Sequence, residues 1–157
     1  MSEKKKRMAI IASKADIAGA YPPLLLATTA AAMDFEVGIF FTFFGLNMLK
    51  KKKLNKLKIT PVGQTAMPMP IPQIVGAIPG MTDMATAMMK NWMKKANVAK
   101  LQDLMDIAIE SGVRIIACEM TMSVMKIKRE QLIDECEVGG AATFIEFASQ
   151  ADVQLYI

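Results

Sequence analysis

Apolar residues come in short unbroken blocks separated by segments of helical spacing, rather than alternating singly with polar ones. Residues 8–13, 36–43, 113–118 and 153–157 are compact runs rich in Ile, Val and Phe, the pattern of strands buried on both faces. Between them, residues 82–95 carry Met84, Ala85, Met88 and Trp92 at helical spacing, in step with Met81 just before them. Residues 98–111 repeat the pattern with Val98, Leu101, Leu104, Met105 and Ala108. An alanine-rich helix is expected over 22–33, starting at Pro22 because a proline at a first helical position loses no needed donor, with residues 13–16 supplying a turn and cap. Short helices or turns are expected at 44–52 and 128–135, a weak strand or loop at 56–61, and a last helix at 143–150. Strands alternating with helices describe an α/β domain with a parallel sheet.

Residues 64–80 break the rhythm. Pro68, Pro70, Pro72 and Pro79 fall at spacings that no regular element accommodates. A loop this long inside a compact domain is usually functional or disordered, and its methionines and isoleucines argue against simple disorder. It is expected to cover either a reactive site or a neighbouring subunit.

The length, 157 residues, suits one domain over 1–157, and 53% hydrophobic residues suffice for its core. The longest apolar region, residues 24–46, contains Asp34 and Glu36, which splits it into a buried helix and a buried strand rather than a membrane span. The net charge of +4 is concentrated in residues 4–7 and 50–53. Solvated termini and a helix end explain both runs more cheaply than nucleic acid does, so no nucleic-acid partner is expected. Two cysteines without an extracellular signature fit a cytoplasmic protein. Histidine is absent, which removes Ser-His and Cys-His dyads and the usual zinc sets. Fifteen methionines invite a soft-metal reading, but at helical spacing they are better explained as flexible core and interface filling. No metal or cofactor is expected, and chemistry is left to thiol, carboxylate or backbone groups.

The stretch that offers such chemistry is 113–125. A short strand stops at Cys118, and polar residues from Glu119 onward open a helix that Thr121 or Ser123 would cap. Ligands collect beyond the carboxyl ends of strands in open α/β sheets, so a thiol there is accessible while its backbone is held rigid. N–H groups at a following helix start would lower its pKa. The plain alternative is that Cys118 is a small apolar residue ending a buried strand. Glu119 receives no catalytic role, because an adjacent negative charge opposes thiol ionisation. Gly139 and Gly140 allow close backbone approach or a positive-φ turn, with N–H groups suited to an anion.

Ala117-Cys118-Glu119-Met120-Thr121-Met122-Ser123-Val124-Met125, followed by Leu132-Ile133-Asp134 and Gly139-Gly140-Ala141, resembles the A-C-x-M-[ST]-M-x-x-M signature of the DsrE/DsrF-like sulfur-carrier family, in its peroxiredoxin-like or sulfurtransferase branch. Phe40-Phe41-Thr42-Phe43-Phe44-Gly45-Leu46, Met67-Pro68-Met69-Pro70 with Pro79-Gly80-Met81, and the Met-rich helix through Trp92 agree with it. Two positions depart: Lys126 stands where glycine is expected, and Cys136 where an aliphatic residue is usual, which marks Cys136 as no shared catalytic partner.

The resemblance implies a three-layer α/β/α fold with a mainly parallel sheet of about five strands, the Pro/Met-rich crossover lying at 64–81. It implies that Cys118 carries sulfane sulfur as a persulfide or thiosulfonate, with Met120, Thr121, Met122, Gly139 and Gly140 around the substrate. It also implies a homo-oligomer working between a sulfane-sulfur donor and an acceptor thiol or sulfur-relay protein. The chain has no Cys-x-x-Cys pair for dithiol exchange and no matching peroxiredoxin motif. The rival from another class is a non-enzymatic oligomeric scaffold, motivated by the methionine-rich surface and the Pro-rich crossover.

Overall fold

A computed structural model describes residues 4–59 and 77–157. Strands β1 (Arg7–Ala12), β2 (Glu36–Phe41), β3 (Arg114–Cys118), β4 (Glu137–Gly139) and β5 (Val153–Tyr156) form one sheet in the order β4-β3-β2-β1-β5. Every pairing is parallel. The helices are α1 (Ile17–Ala32), α2 (Met81–Lys95), α3 (Leu101–Glu110), α4 (Glu119–Val124) and α5 (Ala141–Ala148).

The chain steps outward from β1 to β4 and then returns to place β5 beside β1. Parallel strands are joined by right-handed crossovers, so this reversal puts the returning helix on the opposite face from the outward ones. The packing follows. Residues of α1 and α3 bury Ile10, Ile39, Phe41, Ile115 and Ala117 on one face, whereas α5 covers Ala9, Phe40, Ile116 and Cys118 on the other. The result is the three-layer parallel α/β arrangement expected from the sequence.

Helix α1 begins earlier than Pro22, at Ile17, and runs through both prolines. Asp16 caps it, its carboxylate accepting from Gly19 N at 3.3 Å. Ile17 and Ala20 are buried in register with Leu24 and Ala27, so one continuous apolar face outweighs the hydrogen bonds that Pro22 and Pro23 cannot donate. Residues 43–49 and 54–56 form 3₁₀ turns where one short helix was expected, and residues 129–131 form another. The crossover over 64–81 lies mostly outside the described residues; of it, Gly80 caps and Met81 opens α2.

The stripe expected to be the buried face of α2 is largely outward: Ala85 is buried, but Met84, Met88 and Trp92 are exposed. Helix α5, by contrast, is firmly seated. Phe144 stacks on Phe40 with centroids 5.1 Å apart. The Phe147 ring lies against Gly38, under the guanidinium groups of Arg7 and Arg114. Those two arginines pair with Glu36 and Glu137 across neighbouring strands.

Candidate functional site

Cys118 is the last residue of β3 and the N-cap of α4, so the thiol sits at the carboxyl end of the sheet, as its sequence position implies. Neither Thr121 nor Ser123 caps this helix. Thr121 lies inside α4, and its hydroxyl turns back towards the end of β2, accepting from Phe43 N at 2.9 Å and lying 3.2 Å from the Thr42 hydroxyl. Each hydroxyl has a single proton. Phe43 N–H is directed onto the Thr121 oxygen, and whichever of the two hydroxyls accepts from the other keeps its own proton for the sulfur. Thr42 is a residue of this cluster that the sequence did not single out as a site candidate. It is 79 positions from Thr121 and was named only as part of the 40–46 stretch that agrees with the family, with no role of its own.

The thiol has a pKa lowered from its ordinary value. Burial, the largest single influence, pushes it up. The Thr121 hydroxyl and N–H, the Thr42 hydroxyl and the Met120 N–H together outweigh that by favouring the thiolate. The neutral thiol makes no capping hydrogen bond; the donors favour its charged form. These donors favour ionisation of Cys118 in spite of its burial.

One expectation is overturned. Cys118 is 4% exposed, so the sulfur is covered rather than held open at the sheet edge. Its side chain points to the α5 face, where Phe40 and Phe144 pack over the sheet. The cover ends abruptly: Glu119 and Met120 are exposed, as is Phe43. Phe43 is also strained, at φ 45°, a conformation that bulky side chains avoid; its N–H is held by Thr121. Gly45 explains the close packing of this turn, because a side chain there would collide with the Ala12 carbonyl.

The other expected site residues divide. The Met120 backbone faces the sulfur while its side chain is in solvent. Met122 packs against the core of the opposite face, away from Cys118. Gly139 pairs with Cys118 across β3 and β4, and a Cβ there would press on Ile116 and Thr143. Gly140 caps α5 with space around it. Neither glycine has positive φ, so the close-approach alternative holds for Gly139 and the positive-φ turn does not occur. Lys126, in the position where glycine was expected, does adopt φ 53°. It closes α4 through Ile127 N to Met122 O and Lys126 N to Ser123 O, which is the geometry that favours glycine there.

Cys136 stands apart. It precedes β4 opposite Ile115 and packs in the core of the α1/α3 face, whereas Cys118 is on the α5 face. Its thiol donates to Ile133 O at 3.2 Å, and burial pushes its pKa up against the nearby Arg129. Both cysteines are 4% exposed, yet their pKa shifts run in opposite directions.

Comparison with known proteins agrees over the whole length. The chain is 46% identical to the sulfur carrier protein DsrE2 of Allochromatium vinosum, covering 98% of this chain and 99% of that one. It is 34% identical to the uncharacterized protein YrkE of Bacillus subtilis, covering all of both. Among solved structures, the YchN protein of E. coli matches its fold with a TM-score of 0.62 at 14% identity, over 97% of this chain and 99% of that one. The protein MTH1491 of Methanobacterium thermoautotrophicum matches at 0.56 and 11%, over 98% and 100%. The model of the DsrE/DsrF/DrsH-like family matches residues 4–156, and the chain belongs to that family.

Proposed function

We propose that this protein is a sulfur carrier that holds sulfane sulfur on Cys118. The observation that carries the reading is the set of donors from Thr121, Thr42 and Met120 that favours a thiolate on a covered cysteine. The near full-length similarity to a protein named as a sulfur carrier supports it.

In the proposed cycle the Cys118 thiolate attacks the outer sulfur of a donor persulfide, RS–SH. A Cys118 S–S bond forms, the donor S–S bond breaks, and RS⁻ leaves. Attack on tetrathionate would instead leave a Cys118 thiosulfonate and release thiosulfate. An acceptor thiolate then attacks the outer sulfur of Cys118-S-SH and takes it, returning Cys118 as thiolate. No net oxidation occurs across the two steps, and no general base is needed where the thiolate is already formed. N–H groups of Met120 and Thr121 would stabilise the anion at each stage. The covered position would shield a bound persulfide from solvent, and the exposed turn at Glu119 and Met120 is the short route by which donor and acceptor would reach it. The proposed setting is cytoplasmic; among the described residues no helix is long and apolar enough to cross a membrane.

A second reading, a non-enzymatic oligomeric scaffold, draws on the exposed Met84, Met88 and Trp92 of α2. Intact mass after incubation with polysulfide, thiosulfate or tetrathionate separates the two. A sulfur adduct on the wild type that is absent from Cys118→Ser supports the carrier. Unchanged mass with every donor, or equal loading of the serine variant, overturns it.

A further inference from the structure

A cavity of about 510 Å3 lies between α2, the start of α1 and the start of α3, on the sheet face opposite Cys118. This volume is within the range of small-molecule sites, roughly 300–1,000 Å3. Its walls are apolar, with Ile17, Leu54, Leu57, Met93 and Leu101 among them. Lys90, Lys94 and Lys100 also line it, and among the described residues no carboxylate does.

Charge makes the site specific in kind. Among the described residues none of the three lysines is in an ion pair, although Lys90 Nζ reaches across to Asn55 O at 3.1 Å. Lys100 is the N-cap of α3, and no side chain caps that helix, so its first N–H groups add positive character, opposed in part by Asp103 in the same turn. The Tyr21 hydroxyl, also in the lining, is used in donating to Ala99 O at 2.9 Å. Asp103 acts on Tyr21 from outside the cavity. The three lysines are exposed at the rim, where an anionic head would gain pairing that an uncharged apolar occupant would not; residues 60–76 of the chain itself contain no Asp or Glu. A compact inorganic anion would leave the apolar walls empty.

We infer that this cavity binds a long-chain aliphatic monoanion, its chain against Leu54, Leu57, Met93 and Leu101 and its carboxylate-type head between Lys94 and Lys100. The inference is independent of Cys118 chemistry, since the two sites lie on opposite faces of the sheet.

The test is titration of the full chain with dodecanoate below its micelle concentration, followed by calorimetry, with 1-dodecanol as the uncharged control. Saturable binding of one dodecanoate per chain is expected, with dodecanol weaker by at least about tenfold and the double variant Lys94→Gln/Lys100→Gln weakened by about tenfold. Met93→Trp, which narrows the cavity, should weaken binding. Circular dichroism and the reaction rate of Cys118 should be unchanged in the variants. Absence of saturable binding to the wild type, equal binding of dodecanol, or undiminished binding by the folded variants would overturn the inference.

Discussion

Replacing Thr121 with valine keeps the shape of the side chain and removes the hydroxyl that links the end of β2 to the sulfur. Thr121 is 2% exposed, so water cannot take the place of that group. Two consequences follow. The Phe43 N–H loses its acceptor and the Thr42 hydroxyl its neighbour, which costs about 1–3 kcal/mol of folding stability. The thiolate also loses its strongest donor. A hydrogen bond to a charged group contributes about 1.5–3 kcal/mol, so the thiolate fraction at a pH below the midpoint falls about ten- to a hundredfold. A more basic thiolate is a better nucleophile, with a Brønsted exponent of about 0.4–0.5, so the net rate of exchange with a pyridyl disulfide falls only about three- to fifteenfold. At alkaline pH, where both proteins are ionised, the order reverses and the valine variant reacts faster. The two pH–rate curves should therefore cross. Thr121→Ser retains the hydroxyl and should follow the wild type. Parallel curves that never cross, an unchanged midpoint in Thr121→Val, or a serine variant that behaves like valine would refute the proposed donation to sulfur.

Three further outcomes are expected. Lys126→Gly should stabilise the fold by about 0.5–1 kcal/mol, because the left-handed conformation costs lysine more than the added chain entropy costs glycine; a lower melting temperature would contradict this. Cys118 should be labelled by iodoacetamide in the native protein and Cys136 only on unfolding, read by peptide mass; the reverse order removes the main support for the carrier. Burial holds Cys136 as a neutral thiol with a raised pKa. Its contribution to stability is thus intact below the unfolded thiol pKa, about 8.5, and is lost as pH rises beyond it. Cys118, with its pKa lowered, has the opposite sign: its contribution is present at alkaline pH and lost as pH falls through the folded pKa. Urea midpoints of Cys136→Ala should accordingly approach the wild type as the pH is raised.

Four of the five strands were legible because each is a compact apolar run, although β5, at the sheet edge, leaves Gln154 and Tyr156 exposed rather than buried on both faces. Strand β4 was not. It has three residues, its partners are on β3 alone, and Glu137-Val138-Gly139 has no periodicity to detect. Helix α1 was truncated at Pro22 because local propensity forbids interior prolines, and tertiary burial of Ile17 and Ala20 overrode it. The position of Cys118 was readable from a strand that ends in a thiol. Its cover was not, since Phe40 and Phe144 reach it from distant parts of the chain. Thr42 escaped for the same reason: a hydroxyl at a strand end acquires meaning only when a residue 79 positions away arrives beside it. The outward Met84, Met88 and Trp92 show a limit of another kind, because helical spacing identifies an apolar stripe without saying what it faces.

The separation of the two cysteines governs how an accidentally oxidised carrier can recover. They face opposite sides of the sheet and are three residues out of step along paired strands, about 10 Å, beyond the span of a disulfide, about 4.4–6.8 Å between Cα atoms. A sulfenic acid on Cys118 has no internal thiol with which to condense. Repair must come from another molecule, and the protein's redox fate is set by the thiols that visit it.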